Sequence, residues 1–293
     1  MIAERSIGES GWQRVALIVL AFAVGFVLLI LPLAVVFVGA LANGVGAALA
    51  SLGDPDTLAA MRLTLIVAAI VVPLNTLFGL AAAWCTSHFH FPGRGLLEAL
   101  IELPFSVSPV IAGLIYVLLF GLQGLFGAWL RAHDIQIIFA LPGILLATMF
   151  VTLPFVARQL TPAMRAQGFD EEEAALTLGA SGWQMFFRVT LPRVKWALLY
   201  GILLCNARTM GEFGAVAVVS GHIRGATSTM PLQIENLYNG YDLAAAFGLA
   251  AVLALLALST IVVRIALEWR HTQIISEGQT AALGSPVQMG EAA

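Results

Sequence analysis

The sequence predicts an all-α fold, a polytopic helical membrane protein of about six transmembrane helices. Two compositional figures and one pattern carry that reading. Apolar residues make up 60% of the 293 positions and charged residues only 11%, against roughly 45–50% and 25% in soluble domains. Mean hydropathy is +0.93, more apolar surface than a soluble interior of this size can bury. Six apolar runs approach or exceed the roughly 20 residues that cross a bilayer. The same composition excludes a disordered chain, a collagen and a secreted disulfide scaffold. Cys85 and Cys205 fall inside apolar runs and read as small buried hydrophobes. A net charge of −3 suggests neither a nucleic-acid partner nor a polybasic membrane patch.

The six runs are 15–42, 63–85, 103–122, 137–157, 196–220 and 243–263. The first is too long for the roughly 7–15 apolar residues of a signal peptide; it reads as a retained span kinked at Pro32. Residues 1–14 are expected to form a cytoplasmic leader, 15–270 the membrane domain, and 271–293 a polar, disordered tail. Orientation follows the cations. With a cytoplasmic N-terminus, ten Lys and Arg residues fall inside, among them Arg5, Arg94, Arg158, Arg193 and Arg264. Only Arg62, Arg131 and Arg224 fall outside, and Arg208 lies within the fifth span. Both termini are therefore expected in the cytoplasm.

The inner segment 158–195 is long for an otherwise economical chain, which marks it as functional. Asp170 reads as an N-cap with Glu173 three residues on, and the acids of the first turn suit the positive end of the helix dipole. Gly179 sits where a left-handed cap is expected. Ser181 and Gln184 form a capping box, and Pro192 is expected to end the second helix. This helix, glycine corner and helix would present Ala174, Ala175, Leu178, Trp183 and Phe186, a knob suited to a groove on another protein. The alternative is an interfacial helix on lipid, which the acidic first turn opposes.

Glu173-Ala174-Ala175, three residues, Gly179, nine residues, Val189, then Leu191-Pro192 resembles the EAA loop of bacterial ABC-importer permeases, with Val189 where that family has Ile. The resemblance implies that Glu173, Ala174, Ala175, Gly179, Leu191 and Pro192 belong to a coupling helix docking on an ATP-binding cassette ATPase subunit. Further stretches resemble sulfate/thiosulfate permeases of the CysW type: Phe105-Ser106-Val107-Ser108-Pro109, Gly211-Glu212-Phe213-Gly214, Val219 to Gly225, and Met230-Pro231-Leu232-Gln233. That family implies a second homologous permease subunit, a periplasmic sulfate/thiosulfate-binding protein and a bacterial inner-membrane location. It implies no cofactor and no catalytic residue in this chain.

The sequence contains no G-x-x-x-x-G-K-[ST] loop; its one lysine, Lys195, precedes Trp196. Energy for pumping must come from a partner. His88 and His90, two apart without a third ligand, are a weak zinc signal and read as solvated loop residues. Arg208 and Glu212, four apart in the fifth span, share a helix face. They line a permeation path or gate, or else they fix packing; repulsion of a dianion favours gate or packing for Glu212 and leaves Arg208 as an anion contact. Pro104 and Pro109 are expected to break the third span, placing Ser106 and Ser108 as neutral donors along a cavity. The alternative is a proline-kinked helix end whose serines bond their own backbone.

The expectation is therefore a non-catalytic permease subunit of an ATP-driven sulfate/thiosulfate importer. A molybdate or tungstate permease shares the Gly211-Glu212-Phe213-Gly214 stretch. An ATP-independent anion channel or ion-coupled carrier is the rival from another class, and the elaborate inner loop argues against it.

Overall fold

A computed structural model describes residues 11–42 and 44–284. Among the described residues every regular element is helical. Four helices are long and apolar enough to cross a membrane: α1 (Trp12–Leu41), α3 (Pro55–His88), α7 (Leu141–Gln167), and α12 over its Leu243–Ala266 part. Two bent pairs supply the rest. Helices α4 (Arg94–Ser106) and α5 (Pro109–Phe120) meet at 108°, and α9 (Gly182–Met210) and α10 (Gly214–Ser220) at 50°. Short helices α2 (Val45–Leu52), α6 (Gly127–Ala132), α8 (Asp170–Thr177) and α11 (Met230–Asn239) lie between them. Six spans result if each bent pair crosses once.

The core is built on α3, α7, α9 and α10. Val67 and Val71 of α3 pack with Ile144, Ala147 and Val151 of α7 and with Ala215, Val216 and Val219 of α10. A second cluster joins Ala83, Val156, Leu160, Val194 and Cys205. Val156 is wedged between two glycines. A Cβ on Gly79 would stand 2.7 Å from the Val156 Cβ, and one on Gly201 would stand 3.2 Å from its Cα. Small residues permit this approach where lipid supplies no hydrophobic driving force between helices. Asn75, fully buried in α3, donates to the Thr152 hydroxyl (2.7 Å) and the Met149 carbonyl (3.2 Å) of α7.

Several boundaries differ from the sequence expectation. The fourth span continues to Gln167 because α7 remains helical as it becomes amphipathic beyond Ala157. The nominal loop 158–195 is therefore mostly helix. The third span, expected at 103–122, is two helices at a steep angle, broken at Val107 and Ser108. Pro192 does not end a helix. A wide π-type turn, Phe186–Thr190, precedes Leu191-Pro192, and the same device, Phe26–Ile30, precedes Leu31-Pro32. The extra residue gives each proline ring room against the preceding turn, so α9 and α1 run through. Helix α12 extends to Gly284, so the expected disordered tail is helical to that point; no proline interrupts it before Pro286. Residues 1–10 of the leader and 285–293 of the tail lie outside the described residues.

Candidate functional site

Two regions carry the residues singled out by sequence: the corner between α7 and α9, and the breaks in the two bent pairs. At the corner, α8 begins at Asp170 itself. Phe169 holds the N-cap position with no side-chain cap, so Asp170 is a first-turn acid rather than the cap. With Glu171, Glu172 and Glu173 it places four carboxylates at the positive end of the helix. Helix α8 closes as expected. Gly179 has φ +88°, and its N–H donates to the Leu176 carbonyl at 3.0 Å. Ser181 and Gln184 then form the reciprocal capping box that opens α9.

The corner has an outer and an inner face. Glu173, Ala174 and Gly179 are exposed, and Ala175 is half-buried. Leu178 is 89% exposed and Trp183 72%. Trp183 stacks on Phe187 with ring centroids 5.8 Å apart. Phe186, expected on this face, is instead buried against Trp84 at 4.8 Å, and Phe187 takes its place outside. Phe187, four residues after Trp183, shares its helix face, whereas Phe186 is turned toward the core. Leu191 is half-buried and Pro192 exposed, immediately after that turn.

Inside, Glu172 is only 6% exposed. Its Oε1 accepts from the Thr190 hydroxyl at 2.6 Å, and its Oε2 lies 2.8 Å from His88 Nε2. His88 is thus not a solvated loop residue: its side chain is about 10% exposed, between Trp84 and Phe169. His90 is exposed. Arg193 pairs with Glu171 at 3.3 Å and donates to the Gln167 carbonyl at 2.9 Å, while the Gln167 amide donates to the Arg193 carbonyl at 3.0 Å. Sequence reasoning missed the Glu172, Thr190 and His88 cluster. Three consecutive glutamates give no local signal of which one turns inward, and His88 is 84 positions from Glu172.

The two breaks abut. A Cβ on Gly214 would lie 3.1 Å from Pro109, and one on Gly113 would lie 2.7 Å from the Ala215 carbonyl, so α5 and α10 touch through glycines at their starts. Ser106 closes α4 and Ser108 holds the N-cap position of α5; both are exposed, and Ser108 makes no side-chain cap. At the other break, Arg208 lies 2.7 Å from Glu212 Oε2, and Glu212 is 2% exposed. Its Oε1 accepts from the Ala215 N–H at 3.0 Å, which satisfies one of the orphan donors opening α10. Glu212 thereby ties the last turn of α9 to the first turn of α10. Among the described residues no group of three metal-ligating side chains is close enough to hold an ion.

An all-helical membrane domain with two broken spans and an acidic, left-handed-capped corner exposed outside its core defines a class: the membrane subunit of a transporter whose motor is another chain. The sequence model of the family "Binding-protein-dependent transport system inner membrane component" matches residues 75–268, and the chain belongs to that family. It is a non-catalytic permease component of an inner membrane. Among its relatives, the sulfate transport system permease protein CysW of Escherichia coli (strain K12) is 51% identical over 88% of this chain and 89% of its own length. The CysW protein of Synechocystis sp. (strain PCC 6803) is 54% identical over 87% and 92%. The sulfate transport system permease protein CysT of E. coli K12 is 40% identical over 68% and 72%. In fold, the chain resembles a bacterial alginate ABC transporter solved with an alginate-bound periplasmic protein. The TM-score is 0.74 at 16% identity, covering 89% of this chain and 95% of that one.

Proposed function

We propose that this chain carries sulfate or thiosulfate inward as one of two unlike permease subunits, driven by an ATPase and supplied by a periplasmic binding protein. The observation that carries the reading is the identity of half or more, over nearly nine-tenths of the chain, to proteins named as sulfate permeases. The relative named CysT, similar but more distant, supports a second permease of that kind as partner. Both termini lie in the cytoplasm in this reading, which rests on the distribution of Lys and Arg.

The ATPase would grip the outer face of the corner: Glu173, Ala174, Ala175 and Gly179, with Leu178 and Trp183 as apolar anchors and Leu191-Pro192 behind them. Exposed rings and aliphatic side chains beside an acidic helix start suit a groove with an apolar floor and a basic rim. Along the path, Ser106 and Ser108 supply neutral donors at a helix break, Arg208 meets the anion, and Glu212 acts as gate or packing group. A dianion needs donors to replace its water, and neutral ones hold it without trapping it.

The test is reconstitution in proteoliposomes. Uptake of labelled sulfate is expected only with four components present: this chain, a second permease, the ATPase and the binding protein. Excess thiosulfate should suppress it far more than molybdate does. Uptake with this chain as sole permease would instead establish a homodimer, and a reversed anion ranking would sink the sulfate assignment while leaving the importer intact.

A further inference from the structure

The inner face of the corner carries a cluster that the docking face does not need. Glu172 is buried where its neighbour Glu173 is exposed, and its two oxygens go to two different elements. One accepts from Thr190, the last residue of the wide turn in α9. The other meets His88, the last residue of α3. A carboxylate only accepts, so His88 Nε2 is the donor. His88 Nδ1 is buried without a hydrogen-bond partner among the described residues, so Glu172 is the ring's single polar anchor. Trp84, tilted, and Phe169, edge-on, flank the His88 ring at centroid distances of 6.0 and 5.1 Å, and the two side chains of the pair are only 10% and 8% exposed.

Helix α8 is only eight residues long and projects an exposed surface. Such a piece transmits force only through its attachments. On its outer edge the Glu171–Arg193 pair is solvated, with Glu171 64% exposed, and solvated pairs hold weakly. The Glu172 bonds are charge-assisted and dry, so they are the stiff attachment. Helix α3 runs 34 residues from His88, packing on α7 and α9 along its length. A wide turn beside Thr190 is the kind of irregularity where a helix can change its winding.

We propose that His88, Glu172 and Thr190 form a latch that fastens the coupling helix to α3 and α9 together, making them positioning residues through which motion of the docked ATPase reaches the spans. This rests on the importer reading. Docking and transmission are then separate properties of neighbouring glutamates: Glu173 outward for contact, Glu172 inward for transfer.

The experiment uses the four-component transporter in proteoliposomes and reads two quantities, ATPase copurified with the permease and sulfate moved per ATP hydrolysed. The variants are His88→Leu, His88→Gln, Thr190→Val, and His88→Leu with Thr190→Val. Leucine fills the space without a donor, whereas glutamine carries an N–H to about the position of Nε2. His88→Leu is expected to lower sulfate per ATP about tenfold, the worth of one charge-assisted hydrogen bond, with ATPase copurification unchanged. His88→Gln should stay within about threefold of the parent, and Thr190→Val should fall between. The double variant should be no worse than His88→Leu alone, because one carboxylate serves both partners. Equal ratios for His88→Leu and His88→Gln would assign the site to packing and overturn the latch. Should His88→Leu fail to insert, Thr190→Val decides: an unchanged ratio overturns the proposal and a lowered one supports it. A parent protein without ATP-driven sulfate uptake would overturn the importer reading itself, which is a different result from a normal parent with normal variants.

Discussion

Gly179 offers a perturbation whose cost can be worked out in advance. Its φ is +88°, yet a Cβ built there meets no heavy atom within 4 Å. Substitution therefore introduces backbone strain and no clash. The left-handed conformation costs an ordinary L-residue roughly 1–2 kcal/mol, and asparagine less. On that scale the population holding the corner in its present shape falls by a factor of about 5 to 30 for alanine. Valine, β-branched, should fall further. The strain sits in an exposed corner, so membrane insertion and overall stability should be those of the parent. The assay is sulfate uptake by the four-component transporter, with copurified ATPase measured alongside. The expected order is Gly, then Asn, then Ala, then Val, for both uptake and ATPase retention. Parental uptake by the valine variant would refute the claim that the corner's geometry matters. Loss of the alanine variant from the membrane would refute the claim that the space around it is open.

Arg208→Met should lower the melting temperature of the detergent-purified permease, because it leaves a carboxylate that is 1% exposed without its counter-charge, a cost of about 1–3 kcal/mol given that Arg208 itself is one-third exposed. Adding Glu212→Met should restore most of the loss, short of the cap that Glu212 gives Ala215; a double variant less stable than the single would contradict this. Topology is checked in a chain with Cys85 and Cys205 changed to Ala. Cysteines at the exposed positions Thr177 and Ala226 should react with a membrane-impermeant thiol reagent from opposite sides, Thr177 from the cytoplasm. Labelling of both from one side would overturn the proposed orientation.

What could be read in the sequence divides along a physical line. Hydropathy located the spans because the bilayer imposes a length on apolar runs whatever their packing. The break in the third span was legible because proline removes a backbone hydrogen bond, as at Pro109; the break at Gly211-Glu212 was not, since 196–220 reads as one apolar run. Also legible were the left-handed Gly179 and the Ser181 and Gln184 box, which are fixed within four residues. The end of α7 was not legible. Arg158, Arg165 and Gln167 lower hydropathy without ending the helix, and hydropathy cannot tell leaving the membrane from ceasing to be helical. Pro192 misled for a related reason, since the wide turn that accommodates it leaves no mark in composition. The inward turn of Glu172 was out of reach because it depends on His88, and that contact exists only once α3 and α8 have been brought together.

Helix α9 joins the two regions that sequence treated separately. It starts beside the Ser181 box at the corner and continues to Met210, next to the Arg208 and Glu212 pair. At 1.5 Å per residue that is a helix about 43 Å long. At one end its wide turn holds Thr190 against Glu172, and at the other Glu212 fastens it to α10. Helix α10 in turn packs its first residues against the start of α5, where Ser108 sits. A rotation of α9 about its own axis at the corner therefore arrives at its own break directly and at the break between α4 and α5 through α10. The cost of such a rotation is concentrated where hydrogen bonds are irregular, at Phe186–Thr190 and at Gly211, and not along the regular turns between them. On the proposed reading this places compliance at the two ends of a rigid element. In that reading a proposed anion contact at Arg208 would respond to a partner that touches only the outer face of the corner.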